Sequence, residues 1–199
     1  GLVGSEMCIR DSYRIDSISY DFQDKFLEQI ILPDTANTLI RPGRIFDIAV
    51  LDRERERVTA FLKERGYYNF TVNNIDYVAD TLGGKHQVDV QINIKQYLTG
   101  YNERGQAVMD NNMVYRIDQI NVFPAYDPTV ARTDSTFLSR LDTLYYRGLN
   151  IIYEKRPNLR PAILRQSVPL YPNYVYNSAQ VNRAYTCLLY TSPSPRDRG

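Results

Sequence analysis

The chain contains an internal repeat, and a repeat constrains the fold of both copies at once. Residues 13–18, Tyr-Arg-Ile-Asp-Ser-Ile, return as residues 115–120, Tyr-Arg-Ile-Asp-Gln-Ile. In the same order, residues 41–47, Arg-Pro-Gly-Arg-Ile-Phe-Asp, correspond to residues 171–177, Tyr-Pro-Asn-Tyr-Val-Tyr-Asn. The first motif is typical of a strand, and the second joins a Pro-Gly or Pro-Asn turn to a residue that can cap a helix. The sequence therefore predicts two domains of one kind in tandem.

The first copy predicts the order strand, helix, helix, strand, strand. We expect a strand over residues 13–20, a short helix over residues 34–40, and a longer helix capped by Asp47. Two strands follow over residues 70–78 and 88–94, and the second alternates strictly between apolar and polar residues. This order predicts an α+β fold in which two helices cover one face of a sheet and the other face is wet.

The second copy carries an additional segment before its first helix. Residues 144–153 within that segment are strand-like, a short helix is expected over residues 162–168, and Asn177 caps a second helix. We expect that second helix to be incomplete and the two closing strands to be missing, so that the second domain is truncated. The predicted bounds are 13–97 for the first domain, 98–113 for a linker or an excursion of the preceding hairpin, 114–186 for the second domain, and 127–158 for its insert.

The two ends of the chain are interpreted as non-native sequence. Residues 1–12 and 187–199 look unrelated as protein, but one oligonucleotide read on opposite strands encodes most of both. This pattern resembles a sequencing adapter, whereas a natural signal region and a natural Pro/Ser tail would require a coincidence over both segments. We expect both segments to pack poorly, and we expect the biological chain to run from about residue 13 to about residue 186.

Composition argues against several classes of function. The net charge is +1, so the sequence lacks the excess of positive charge expected of a protein that binds nucleic acid or an anionic membrane. Both cysteines, Cys8 and Cys187, fall in the end segments, so no disulfide framework or cysteine metal site is expected. The single histidine, His86, follows a Gly-Gly-Lys turn and is better interpreted as a solvated turn residue than as a ligand or a base. We predict no catalytic residues, no metal site and no cofactor, and we therefore expect that the protein is not an enzyme.

Two further features have a structural and a functional interpretation. The charged run over residues 52–57 fits a solvated helix face with opposite charges three positions apart, and partner docking is the alternative. The tyrosines of the second copy, including Tyr145, Tyr146, Tyr153 and Tyr174, fit packing between domains or a surface that binds clients.

These motifs resemble the POTRA repeat of the outer-membrane insertase superfamily, in particular its BamA/TamA-like assembly factors. The resemblance in the first copy lies in the Pro-Gly-x-x-Phe-Asp entry at 42–47, the helix body at 51–58, the Gly-Tyr-Tyr exit at 66–68 and the hairpin at 69–94. The second copy matches at 115–120, 171–176 and 181–185. It departs from the pattern at Asn173, which stands in place of glycine, and in its insert.

The resemblance implies tandem POTRA domains on the periplasmic side of the outer membrane, attached in the parent protein to a carboxy-terminal β-barrel. It implies unfolded outer-membrane proteins as clients and periplasmic proteins or lipoproteins as partners, bound by strand addition to a sheet edge. In the family the strand after the second helix is often that edge. The candidate partner-binding residues are therefore Phe70, Val72, Ile75 and Tyr77. A POTRA module of a dedicated secretion pore and a passive periplasmic spacer remain the alternatives.

Overall fold

The structure is a computed structural model that describes residues 13–81, 86–157 and 159–191. The chain divides into two compact units. The first unit comprises the residues up to Lys63 together with Tyr67–Met113, and the second comprises Glu64–Gly66 together with the residues from Val114 onward. None of the helices in the described part of the chain is both long enough and apolar enough to span a membrane.

The first unit is built on a three-stranded mixed sheet. Its strands are β1 (Arg14–Phe22), β2 (Ile75–Asp80) and β3 (Gln87–Ile94), in the spatial order β1–β3–β2. The central β3 runs parallel to β1 and antiparallel to β2. Its apolar residues, at every second position from Val88, are buried, while the polar residues between them are not. The predicted alternation is thus confirmed, and it places the core on one face of the sheet.

Two helices cover that face. They are α1 (Lys25–Ile31) and α2 (Ile48–Lys63), which bury the apolar positions Leu27, Ile31, Leu51, Val58 and Leu62. The Asp47 carboxylate accepts a hydrogen bond from the Ala49 amide at 2.8 Å, which confirms this residue as the cap of α2. The observed order of elements is strand, helix, helix, strand, strand, and the predicted α+β fold is confirmed.

The first helix lies earlier than the sequence interpretation placed it, and the prediction of a helix over residues 34–40 is wrong. α1 begins after Asp24, whose side chain accepts hydrogen bonds from the Phe26 and Leu27 amides at 3.0 and 3.4 Å. The chain then tightens into a 3₁₀ helix over Leu32–Asn37, so Pro33 lies in the first turn of that continuation and does not begin a new α-helix.

Residues 98–113 were predicted as a linker or an excursion of the preceding hairpin, and most of them form a separate two-stranded hairpin. Its strands are β4 (Tyr97–Tyr101) and β5 (Ala107–Asp110), which pair antiparallel. The Asn102 carboxamide oxygen accepts hydrogen bonds from the amides of Arg104 and Gln106, both at 2.9 Å. This side chain stabilises the turn because it replaces backbone partners that the turn residues lack.

The second unit also has a three-stranded mixed sheet. Its strands are β6 (Asn121–Val122), β7 (Leu141–Tyr146) and β8 (Leu149–Glu154), in the spatial order β6–β8–β7. The short helix α3 (Pro128–Thr133) precedes β7. The predicted insert therefore supplies the hairpin β7–β8, and the strand-like segment predicted at 144–153 is part of that hairpin.

Two helices complete the second unit. They are α4 (Pro161–Ser167) and α5 (Ser178–Thr191), both of which the sequence predicted. The Asn177 carboxamide oxygen accepts a hydrogen bond from the Gln180 amide at 3.0 Å, as expected for the cap of α5. The expected poor packing of residues 187–199 is wrong at Leu188, which lies in α5 and packs against the core of this unit. Residues 1–12 and 192–199 lie outside the described residues.

The internal repeat recurs as a repeated turn geometry. The Arg14 guanidinium donates to the Gly43 carbonyl at 2.9 Å, and the Arg116 guanidinium donates to the Asn173 carbonyl at the same distance. Gly43 and Asn173 both have a positive φ, 79° and 66°, which glycine and asparagine tolerate better than other residues. The backbone hydrogen bonds also correspond. The Ile15 amide donates to the Arg44 carbonyl, as the Ile117 amide donates to the Tyr174 carbonyl. The Phe46 amide donates to the Tyr13 carbonyl, as the Tyr176 amide donates to the Tyr115 carbonyl.

Candidate partner-binding edge

The predicted edge strand begins later than the sequence suggested. Phe70 is buried in the core and lies outside the sheet, and Val72 lies in a 3₁₀ turn over Val72–Asn74. The turn forms because the Asn74 side-chain oxygen accepts hydrogen bonds from the amide and the hydroxyl of Thr71, both at 2.9 Å. The prediction of a strand over 70–78 is therefore wrong in its first half, and only Ile75 and Tyr77 of the four candidate residues lie in β2.

β2 is an edge strand whose outward amides can be assigned. It pairs on one side with β3, and the Lys95 amide donates to the Asn74 carbonyl at 2.8 Å. Because hydrogen-bonded pairs alternate along an antiparallel ladder, the amides of Asp76 and Val78 face β3. The amides of Tyr77 and Ala79 face the other way, where the described residues place no backbone partner. The Ile75 amide also faces outward but donates to the Val72 carbonyl.

The side chains of β2 anchor the strand and leave its far end open. The Tyr77 hydroxyl donates to the Leu51 carbonyl at 3.0 Å, and the Arg55 guanidinium lies 5.0 Å from the centre of the Tyr77 ring. Burial raises the pKa of Tyr77 above its ordinary value of 10.0. Val78, by contrast, is 51% exposed, and the two residues after it are also exposed. β2 therefore offers its backbone to solvent from a strand that is fixed to the core.

The first unit has a second open edge along β1. The Gln23 amide donates to the Ile94 carbonyl at 3.0 Å, so the odd-numbered residues in this part of β1 face β3. The amides of Ile18, Tyr20 and Phe22 then face away from the sheet, where no described residue pairs with them. The sequence prediction did not include this edge, because it covered only the strand that follows α2.

The second unit repeats the strand arrangement of the first. β6 pairs with β8 in parallel and β8 pairs with β7 antiparallel, in the order β6–β8–β7. The hairpin β7–β8 of the insert therefore occupies the place in the sheet that β2 and β3 occupy in the first unit. Sequence periodicity does not reveal this, because the hairpin precedes the two helices in the second unit and follows them in the first.

The charged run at 52–57 is only partly a solvated face. Glu54 is 2% exposed, and its two carboxylate oxygens accept hydrogen bonds from the Arg57 guanidinium, both at 2.9 Å. The same carboxylate accepts from the Leu39 amide at 3.0 Å, and Arg57 also pairs with Asp34. These bonds raise the pKa of Arg57, the bonds to Glu54 most of all. The interpretation as a solvated face is wrong for Glu54, although the predicted pairs of Glu54 with Arg57 and of Asp52 with Arg55 are both present.

The remaining candidate groups do not converge on a chemical site. His86 is exposed, and its ring lies 6.0 Å from that of Tyr13. Tyr145 and Tyr174 are exposed as well, and the Tyr174 ring lies 5.5 Å from that of Tyr171. Within the described ranges, no group of three His, Cys, Asp or Glu side chains is placed to hold a metal ion.

Comparisons with known proteins match the first unit to a family model and relate the chain to a known fold. Residues 13–97 match the family model described as "POTRA: Surface antigen variable number repeat". The chain is similar to the Haemophilus influenzae BamA POTRA3-5 crystal structure, with 14% identity, a TM-score of 0.51, and coverage of 90% of this chain and 50% of that chain. It thus spans about half the length of that structure.

Two further solved structures match more distantly. They are POTRA1-3 of the periplasmic domain of Omp85 from Anabaena, with 10% identity and a TM-score of 0.32, and the N-terminal domain of Omp85 from Thermosynechococcus elongatus, with 8% identity and a TM-score of 0.28. The alignments cover 89% of this chain and 84% of the first structure, and 90% of this chain and 86% of the second. No curated protein matches the sequence.

Proposed function

We propose that this chain, which carries a POTRA domain at residues 13–97 and resembles the BamA/Omp85 POTRA region, receives unfolded outer-membrane proteins and docks partner proteins in the periplasm. In this proposal the parent protein is an outer-membrane β-barrel assembly factor. The observation that carries the proposal is the open side of β2, where the Tyr77 and Ala79 amides have no backbone partner among the described residues.

Strand addition fits clients of many sequences. An extended peptide that lies along β2 pairs its backbone with these outward groups, and backbone pairing requires no particular side chain. Hydrogen bonds that replace bonds to water contribute about 1 kcal/mol each, so several are needed for measurable affinity. Because β2 is fixed to the core through Tyr77, the strand is ordered before the client arrives, and less conformational entropy is lost on binding.

The test is a proline at an outward amide. Ala79→Pro removes the outward donor without removing a bond to β3, and proline is compatible with an edge strand. We expect it to weaken the binding of a labelled peptide of alternating threonine and valine by about fivefold or more, since one backbone bond and close approach are lost. Fluorescence anisotropy of the full chain gives the affinity.

The matched control is Ala79→Ser, which keeps the backbone donor at the same exposed position. We expect it to bind the peptide as the parent does, and circular dichroism checks that both variants are folded. Equal affinity of the proline and serine variants contradicts docking at β2. A parent chain that binds no extended peptide at all supports a passive periplasmic spacer instead.

A further inference from the structure

A basic groove lies in the first unit, apart from the open side of β2. It has a volume of about 840 Å³ and is formed by the segment 37–47, the start of β1 and the first turns of α2. Ile15 and Leu51, which are buried, lie at its base. The charged residues that line it are Arg14, Arg41, Arg44, Arg53 and Asp47, four cations and one anion. The groove therefore has a net charge of +3 in a chain whose total is +1.

Three of the four guanidinium groups of this basic groove are held by a hydrogen bond to a backbone carbonyl and still have other N–H donors available. The bonds that hold them run from Arg14 to the Gly43 carbonyl at 2.9 Å, from Arg41 to the Thr38 carbonyl at 3.4 Å, and from Arg53 to the Ala49 carbonyl at 3.3 Å. Each uses one of the five N–H donors of a guanidinium. No carboxylate of the described residues forms an ion pair with any of the four arginines.

The fold of the turn does not require these charges. In the second unit, Tyr171 and Tyr174 stand at the positions of Arg41 and Arg44, and the backbone hydrogen bonds of the turn are the same. The arginines at these two positions in the first unit are therefore separable from the local structure. Their surroundings are also apolar, since Leu39 and Ile45 line the groove and are 44% and 52% exposed.

We propose that the basic groove binds an acidic peptide segment of a partner protein, with an apolar side chain placed between its carboxylates. Guanidinium groups pair with carboxylates through two parallel hydrogen bonds, which favours a carboxylate ligand at these arginines. A free inorganic anion has no apolar group to pack against the apolar residues of the groove. A flat bilayer surface does not reach the buried side chain of Ile15, which lines the recess. This inference specifies the partner-docking part of the proposed function and rests on it.

The experiment exchanges the residues of one unit for those of the other. In the full chain, Arg41→Tyr with Arg44→Tyr places the second unit's residues in the first unit's turn, where they are compatible with its backbone. The probe is a labelled peptide of alternating glutamate and leucine, measured by fluorescence anisotropy at low and high salt. We expect the double variant to bind it about tenfold more weakly at low salt, and we expect salt to weaken the parent more than the variant.

Arg104→Tyr is the matched control, because it removes one exposed positive charge from the β4–β5 turn of the same unit, outside the basic groove. It is compared with Arg44→Tyr alone, and only the groove variant should lose affinity. Equal affinity of the double variant and the parent overturns the proposal. Tighter binding of a lysine and leucine peptide than of the glutamate and leucine peptide also overturns it. Binding of the parent chain to phosphatidylglycerol vesicles but to neither peptide overturns the proposal as well.

The outcome is distinguishable from a failure of strand addition. The glutamate and leucine peptide is also titrated into Ala79→Pro, and the threonine and valine peptide into the groove variant. Loss of acidic-peptide binding only in the groove variant supports the groove whatever β2 does. Loss of acidic-peptide binding only in Ala79→Pro means that this peptide also docks on β2, and it overturns the groove proposal while supporting strand addition.

Discussion

The Asp24 carboxylate accepts hydrogen bonds from both the backbone and the side-chain amide of Asn112, at 2.7 and 3.0 Å, across 88 positions of sequence. Its other oxygen caps α1, and the residue is fully buried. One side chain therefore fixes the start of the first helix and the end of the segment that follows β5. Both contacts lie within the first unit.

Removal of the Asp24 carboxylate should lower the stability of the folded chain. We expect Asp24→Ala to lower the free energy of unfolding by about 2–4 kcal/mol, because the helix cap is lost and the Asn112 amides are left buried without their acceptor. Asp47→Ala is the comparison, since Asp47 caps α2 from an exposed position, and it should cost about 1 kcal/mol. Urea unfolding measures both, and an equal cost for the two variants argues against the double role of Asp24.

A second prediction concerns the ion pair of Arg57 with the buried Glu54. Glu54→Ala should lower the free energy of unfolding by about 2–4 kcal/mol, since it removes the acceptor of the Leu39 amide and leaves Arg57 with Asp34 alone. Replacement of both Glu54 and Arg57 by leucine should recover part of that loss. Asp52→Ala, which breaks the exposed pair with Arg55, should cost less than about 1 kcal/mol. A small effect of Glu54→Ala in urea unfolding contradicts this account.

A third prediction concerns alkaline pH. Burial raises the pKa of Tyr77 and Tyr20 above 10.0, so the folded state holds both phenolic protons more tightly than the unfolded state does. The resulting stability is fully present below pH 10 and is lost as the pH rises toward the folded-state pKa values. Tyr77→Phe should cost about 1 kcal/mol at neutral pH through its lost hydrogen bond.

The same variant should also reduce the alkaline loss of stability, because one of the tyrosines whose pKa burial raises is gone. The exposed Tyr101 supplies the control, and Tyr101→Phe should leave the alkaline slope as it is in the parent. Urea unfolding at a series of pH values between neutrality and the alkaline limit tests this. An unchanged slope in Tyr77→Phe contradicts the assignment.

A fourth prediction uses the repeat. Gly43 has a φ of 79°, and a side-chain carbon added at this position would have no neighbouring atom within 4 Å, so backbone strain alone decides what is tolerated there. Since Asn173 occupies the equivalent turn, Gly43→Asn should cost only about a few tenths of a kcal/mol, whereas Gly43→Val should cost about 1–2 kcal/mol. Thermal unfolding ranks the two variants, and valine tolerated as well as asparagine contradicts the equivalence of the turns.

The sequence predicted the fold class because its strongest signals are local. The alternation in β3, the Asp47 and Asn177 caps and the repeated turn all depend on residues close together in the chain. Helix α1 was missed because the short helix was predicted over residues 34–40, although Asp24, Leu27 and Ile31 have the spacing of a cap and one buried face. The aromatic and β-branched composition near Phe70 suggested a strand, and the Thr71–Asn74 turn prevented one.

The candidate site depended on contacts that sequence cannot reveal. Which amides of β2 face outward follows from one long-range bond, between Lys95 and Asn74. The burial of Glu54 follows from its bond to the Leu39 amide, 15 positions away. The insert's pairing with β6 depends on a strand order that periodicity leaves open. These are tertiary effects, and local propensity carries no information about them.

Amide hydrogen exchange at Tyr77 and Ala79, measured in the full chain with and without the threonine and valine peptide, tests the central claim most directly. We predict that both amides exchange about tenfold or more slowly when the peptide is bound, since each gains a backbone acceptor. The amides of Asp76 and Val78, which already face β3, should change little. Unchanged exchange at Tyr77 and Ala79, or new protection at Ile18 and Tyr20 on the β1 edge instead, contradicts strand addition at β2.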